Sequence, residues 1–308
     1  MEQSLGSTKS NILQSKPANI AGSTIKEVHS TSLIEQHLHI VTVATEEKYY
    51  LPYLKILCKK FNNKLKILGL GTKWQGFSYK FYLILEYLKT IDPNDIVCFI
   101  DGYDVICVRD TNELINEFKK LINNKLILIS VDTNSLIHEL LAPLYFTKVD
   151  DNYINSGCYM GYTKNLLIVF EELNKSINDF NVNDQKLLIE YCKKNPNSYV
   201  LDKDNNIFLC YVNSLTEIDN KINIINNTIY YKNSKPFFIH GPGFTYLNNI
   251  LIKIGFENTL YLKNIKKTCI KDFKNKMLYY VKDLLKEYQI IFIIIYLIIF
   301  LMIYKKIK

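Results

Sequence analysis

From Leu38 onward the chain alternates between two hydrophobic rhythms. Leu38-His39-Ile40-Val41-Thr42-Val43-Ala44-Thr45 is a β-rich run, followed by Glu46 and Glu47 and then by Leu51, Leu54 and Cys58 at the spacing of a helix face. The alternation continues: Lys64 to Leu70 reads as strand, Tyr79 to Leu88 as helix, Asp95 to Ile100 as strand, Thr111 to Ile122 as helix and Leu126 to Val131 as strand. Such a series predicts an α/β fold, with a mostly parallel sheet flanked by helices. Farther along, Leu166 to Leu173 and Asn183 to Cys192 read as helices, with short strands near Tyr199, from Ile207 to Tyr211 and from Phe237 to His240. This second half is less regular than the first.

The two ends follow other patterns. Residues 1–36 contain no aromatic residue and much Ser, Thr and Gln, too little apolar surface to offset chain entropy, so they read as a flexible leader. The main domain is expected over 37–255 and a helical linker over 256–287. From Ile270 on, Ile270, Phe273, Met277, Val281, Leu284, Leu285 and Tyr288 recur at helical spacing, with Lys271, Lys274, Lys282 and Lys286 on other faces, an amphipathic pattern. The run 288–304 carries no charge and is dominated by Ile, Leu and Phe. As a helix it would rise roughly 25 Å, just enough to span a bilayer core, which predicts a single-pass C-terminal membrane anchor before a basic tail at 305–308. An anchor of that kind leaves the domain in the cytosol; occupied sequons at Asn174 or Asn226 would instead mark an ER-lumenal orientation.

Composition narrows the function classes. Hydrophobic residues make up 48% and charged residues 22%, ordinary values for a folded protein. The net charge of +8 comes from scattered Lys, with Arg109 the sole arginine, so a nucleic-acid partner is not expected. The seven cysteines, Cys58, Cys98, Cys107, Cys158, Cys192, Cys210 and Cys269, show no Cys-x-x-Cys spacing, and several sit in apolar runs. Buried free thiols are expected, and a zinc site is not.

The chemistry concentrates in Ile96-Val97-Cys98-Phe99-Ile100-Asp101-Gly102-Tyr103-Asp104, where two carboxylates emerge as an apolar strand ends. Ligands of open α/β sheets bind at the carboxyl ends of strands, and hard carboxylate oxygens suit Mn²⁺ or Mg²⁺. For an isolated Asp-x-x-Asp a simple turn is the better explanation.

Several separated motifs, in order between Leu38 and Leu251, resemble the glycosyltransferase domain of the procollagen lysyl hydroxylases and their relatives. They are Thr42-Val43-Ala44-Thr45, Leu68-Gly69-Leu70-Gly71 with Trp74, Lys80, Asp101-Gly102-Tyr103-Asp104, Asn155-Ser156-Gly157 with Gly161, Asp184-Gln185 and His240-Gly241-Pro242-Gly243. The resemblance implies a GT-A fold and a UDP-sugar donor used with Mn²⁺, or Mg²⁺ in its place. It implies donor contacts from Val43, Ala44, Thr45, Trp74, Lys80, Asp101, Gly102, Tyr103, Ser156, Gly157, Gly241 and Gly243. It further implies metal ligation by Asp101, Asp104 and His240, and catalytic roles for Asp184 and Asn155. One imidazole with two carboxylates fits Mn²⁺ better than an all-oxygen Mg²⁺ site.

The expected partners are thus a UDP-sugar, a protein or glycan acceptor, and a membrane through the C-terminal tail. The resemblance has departures. Where the family continues with Pro-Thr-Lys, this chain has Phe244-Thr245-Tyr246, and no ligand set for Fe²⁺ and 2-oxoglutarate can be assembled. A catalytically inactive GT-A-like membrane protein that binds a partner is therefore the second reading, and a membrane-tethered nucleotidyltransferase, which also uses paired aspartates, is the third.

Overall fold

The computed structural model describes residues 36–133, 142–211, 222–226, 228–243, 245–265 and 267–268. Residues 1–35 of the expected leader, the amphipathic stretch from Ile270, the apolar run 288–304 and the basic tail lie outside the described residues. Among the described residues, no helix is long and apolar enough to cross a membrane.

The first half follows the rhythm of the sequence: β1 (Leu38–Val43), α1 (Leu51–Lys60), β2 (Leu65–Leu68), α2 (Tyr79–Leu88), β3 (Ile96–Ile100), β4 (Val105–Cys107), α3 (Leu114–Ile122) and β5 (Ile127–Thr133). Then come β6 (Ile154–Tyr162), α4 (Thr163–Lys175), α5 (Asp184–Lys194), β7 (Tyr199–Asp202), β8 (Phe208–Tyr211), β9 (Ile222–Ile225), β10 (Thr228–Tyr231), β11 (Phe238–His240) and α6 (Asn248–Lys253). Nine strands form one sheet in the order β2-β1-β3-β6-β5-β8-β11-β4, with β7 also paired to β5. Most pairings are parallel; β6 against β3 and β5, and β4 against β11, are antiparallel. The fold is α/β with a mostly parallel sheet.

Strand alternation builds the two faces of the core. Ile96, Cys98 and Ile100 of β3 join one buried cluster with α1 and α3, through Leu54, Leu57 and Phe118. Val97 and Phe99 join the other with α2, α4 and α5, through Phe81, Phe170 and Leu188. Phe99 stacks on Tyr159 of β6 with centroids 4.6 Å apart, and burying such a ring contributes about 1.5–3 kcal/mol. The six described cysteines are buried free thiols, as expected; Cys269 lies outside the described residues.

Three differences from the sequence reading matter for the site. Strand β2 ends at Leu68 rather than Leu70 because Gly69 and Gly71 take φ of +77° and +83°, turning the chain so that Gly71 N donates to Thr45 O. The short β4 and the β9–β10 hairpin carry no length of pattern by which a sequence could announce them. The sequon residue Asn174 lies within α4, and its amide donates to Phe170 O and Phe81 O, so its side chain is committed to packing α4 on α2.

Candidate active site

The carboxyl ends of β1, β3, β5, β8 and β11 lie along one edge of the sheet, and the two reversed strands bring their starts to the same edge. In β6, Cys158 pairs with Ile100, so the residue before it meets the residue after β3, and Asp101 N donates to Gly157 O at 2.7 Å. In β4, Val105 pairs with His240 at the end of β11, which sets Asp104 beside the imidazole. Pairing of β6 with β5 passes from Tyr159 directly to Asn155, leaving 156–158 without a partner on β5, a bulge of the kind that re-aims side chains at sites.

Asp101, Asp104 and His240 each present one ligand atom within 4.8 Å of the others. His240 Nε2 lies 3.2 Å from Asp104 Oδ1, yet it is buried without a hydrogen bond among the described residues. The distance is short but the angle is not that of a hydrogen bond. An imidazole nitrogen facing two carboxylates is the donor set that a divalent cation takes. A Cβ on Gly157 would stand 2.3 Å from His240 Cε1 and 2.7 Å from Asp101 Oδ2, so only glycine leaves room here. On both observations the residues fit a metal.

Behind this group runs a buried polar network. Lys80 Nζ lies 2.6 Å from Asp184 Oδ2 and 3.2 Å from Asp101 Oδ1. It is neither a solvated lysine nor free to reach outward. Burial works against its charge, but the Asp101 and Asp184 carboxylates outweigh it and hold the ammonium above its usual range. Ser156 Oγ donates to Asp184 Oδ2 at 2.6 Å. Asp184 is not the N-cap of α5: Asn183 is, accepting from Lys186 N, which leaves the Asp184 carboxylate to the site. Burial pushes the Asp101 carboxyl up to about 6, with Lys80 opposing and Asp104 adding to the rise. For His240, burial disfavours the charged ring, but Cys210 and the Asp104 carboxylate outweigh it and raise its pKa.

Asn155 has both ends of its amide occupied: Nδ2 donates to Asp132 Oδ1 at 2.8 Å, and Oδ1 accepts from Gly157 N at 2.7 Å. Tyr103 reaches back to β1, its hydroxyl accepting from Thr45 N at 2.9 Å. Gly102 packs closely there too, since a Cβ would meet Thr42 Oγ1 at 2.9 Å and Val43 O at 3.0 Å, with Ala44 Cβ at 3.4 Å. Gly241 N donates to Asp104 O at 2.8 Å.

The structure thus brings together Val43, Ala44, Thr45, Lys80, Asp101, Gly102, Tyr103, Asp104, Asn155, Ser156, Gly157, Asp184, His240 and Gly241 through direct contacts. Trp74, 41% exposed, meets Tyr79 edge-on and, among the described residues, no member of the polar network. Gly243, at φ +78° in open space, shapes the loop after β11. Two residues went unnoticed in the sequence. Asp132 emerges at the end of β5 just as Asp101 does after β3, so the strand-end rule could have found it. Cys210, whose Sγ lies 3.0 Å from His240 Nδ1, carried no such signal.

Residues 34–259 match the family described as PLOD GT domain. A Caenorhabditis elegans protein named multifunctional procollagen lysine hydroxylase and glycosyltransferase is 28% identical over 70% of this chain and 32% of its own length. The Gallus gallus procollagen-lysine,2-oxoglutarate 5-dioxygenase 1 is 27% identical over 73% of this chain and 33% of its own. The chain therefore spans about a third of the length of these curated relatives. A solved glycosyltransferase involved in glycosylation of the major capsid of PBCV-1 is 14% identical over 67% of this chain and 95% of its own, at a TM-score of 0.42. That likeness is too loose to bear on function. The match over most of the described fold places this chain in the PLOD GT domain family, as a glycosyltransferase domain.

Proposed function

We propose that the chain transfers a hexose, glucose or galactose, from a UDP-sugar to a hydroxyl of a protein or glycan acceptor, with hydroxylysine-linked or collagen-like acceptors the first class to test. The carrying observation is that Nε2 of His240, buried and without a hydrogen bond among the described residues, faces Asp101 and Asp104 beside a glycine that leaves them room. Asp101, Asp104 and His240 would hold Mn²⁺, or Mg²⁺ in its place, whose charge favours departure of the UDP diphosphate. The names of the matched relatives support the acceptor class.

The chain's own groups bind and orient. Tyr103, fixed by Thr45, sets one wall of the nucleotide site, with Val43, Ala44 and Gly102 beneath it. Trp74 is exposed on the loop after β2, free to lie against the donor. Asp184, held by Lys80 and Ser156, keeps a fixed carboxylate near the metal ligands and is the candidate to face the donor sugar. Asn155 acts by holding Gly157 in place, because its amide is spent on Asp132 and Gly157. Catalysis of this kind is positional and electrostatic.

The test is hydrolysis or transfer from UDP-glucose and UDP-galactose, with and without Mn²⁺, with Asp104→Ala as control. Metal-dependent turnover abolished by the substitution is expected. Turnover that needs no metal and ignores the substitution would sink the reading.

The uncharged run 288–304 is proposed as a membrane anchor, with the domain on the cytosolic side, on the strength of its length and composition. Alkaline extraction of membranes should leave the full chain behind and release a chain ending at 287; equal release of both would refute the anchor.

A further inference from the structure

The ring of His240 has two nitrogens, and the site uses only one. In β11, His240 pairs in parallel register with Cys210 of β8, so the two side chains stand side by side on one face of the sheet. Cys210 Sγ lies 3.0 Å from Nδ1, and Cys210 is fully buried. A Cβ on Gly157 would stand 2.3 Å from Cε1, so the bare Gly157 backbone lies along that edge of the ring. Nε2 faces Asp104 without a hydrogen bond among the described residues, and in the neutral ring, the form that ligates a cation, the state of Nδ1 decides whether Nε2 offers a lone pair or a proton.

We propose that Cys210 is a positioning residue for the metal site: its sulfur accepts the Nδ1 proton of His240, which selects the tautomer whose Nε2 lone pair faces Asp101 and Asp104. The partner of a ligating imidazole is commonly a carboxylate or carbonyl; here a buried thiol takes that place. The inference rests on the proposed metal reading of Asp101, Asp104 and His240. Sulfur is a weak acceptor, which makes a hydroxyl at this position an adequate replacement and an alkyl group an inadequate one.

The experiment measures Mn²⁺ binding to the full chain by electron paramagnetic resonance, for wild type, Cys210→Ala, Cys210→Val, Cys210→Ser and His240→Ala. Thermal unfolding is followed alongside, together with ¹⁵N chemical shifts of the His240 ring nitrogens without metal, at a pH above the raised pKa of the ring so that it is neutral. Cys210→Ala and Cys210→Val should weaken Mn²⁺ binding about tenfold, the lower end for loss of an outer partner, and Cys210→Ser should restore it to within about threefold. The ring of wild type and the Ser variant should carry its proton on Nδ1, and that preference should be lost in Ala and Val.

Mn²⁺ affinity equal to wild type in Cys210→Ala and Cys210→Val, with His240→Ala still defective, overturns the role of Cys210 and leaves the metal site standing. Binding unaffected by His240→Ala overturns both. Equal weakening in Ala, Val and Ser, with unchanged ring shifts, shows a packing role only and also overturns the inference.

Discussion

The Lys80 ammonium bridges Asp184, at 2.6 Å, and Asp101, at 3.2 Å, tying a candidate metal ligand to the first residue of α5 through one buried cation. Three segments far apart in sequence depend on that bridge.

Lys80→Met should therefore destabilise the fold, because it strands two carboxylates beside an apolar side chain. The expected cost is roughly 3–5 kcal/mol, read from urea unfolding. Asp184→Asn should cost less, since Lys80 keeps Asp101 as a partner. A Lys80→Met protein as stable as wild type would show that the network does not bear on folding.

Gly157→Ala places a methyl group against His240 Cε1 and Asp101 Oδ2. Backbone shifts that relieve such crowding cost about 1–3 kcal/mol, so the domain should still fold while the three ligands are spread apart. Mn²⁺-dependent UDP binding, measured by calorimetry, should fall at least about tenfold, equivalent to ~1.4 kcal/mol. Unchanged binding would mean that the ligand set lies elsewhere.

Removing metal should uncouple nucleotide from stability. UDP at 100 times its dissociation constant stabilises a folded protein by about 2.7 kcal/mol, and this gain should appear only with Mn²⁺ and vanish with EDTA or in Asp104→Ala. Differential scanning fluorimetry with the four combinations of UDP and Mn²⁺ reads it directly.

A pH effect is expected away from the site. Asp95 Oδ2 lies 2.9 Å from His39 Nε2, and its other oxygen accepts from His37 N at 3.0 Å. Burial would raise the carboxyl, but these two bonds outweigh it and hold the group below its ordinary 3.8. The folded state thus favours the ionised form. Its stabilisation is complete above pH 3.8 and is lost as pH falls through the lower folded value. Asp95→Asn should cost about 1.5–3 kcal/mol at pH 7 and flatten the acid limb of the stability curve below pH 4. An acid limb identical to wild type would assign the acid sensitivity to other groups.

Much of the fold was legible because its elements are local and amphipathic. The runs at β1, β3 and β5 and the faces of α1, α2 and α5 announce themselves by period alone, and each is found where that period puts it. Asp101 and Asp104 were legible as carboxylates at a strand exit. The direction of β6 and β4 was not, because a strand's side-chain period is the same whichever way it runs. That direction brings Gly157 to Asp101 and Asp104 to His240. Asp132 escaped because its strand was ended at Val131, short of the residue that matters.

By itself the sequence determined which residues line strand ends and which motifs occur in which order, since both depend on neighbours within a few positions. Only the tertiary structure decided what those residues touch. Lys80 could have been solvated, Asp184 could have been a cap, and Cys210 was one apolar-looking residue among others. Their partners lie 21, 28 and 30 residues away in the chain, respectively at Asp101, Ser156 and His240. Strand register and burial fix such pairings, because a buried polar atom left without a partner costs more than the fold can spare.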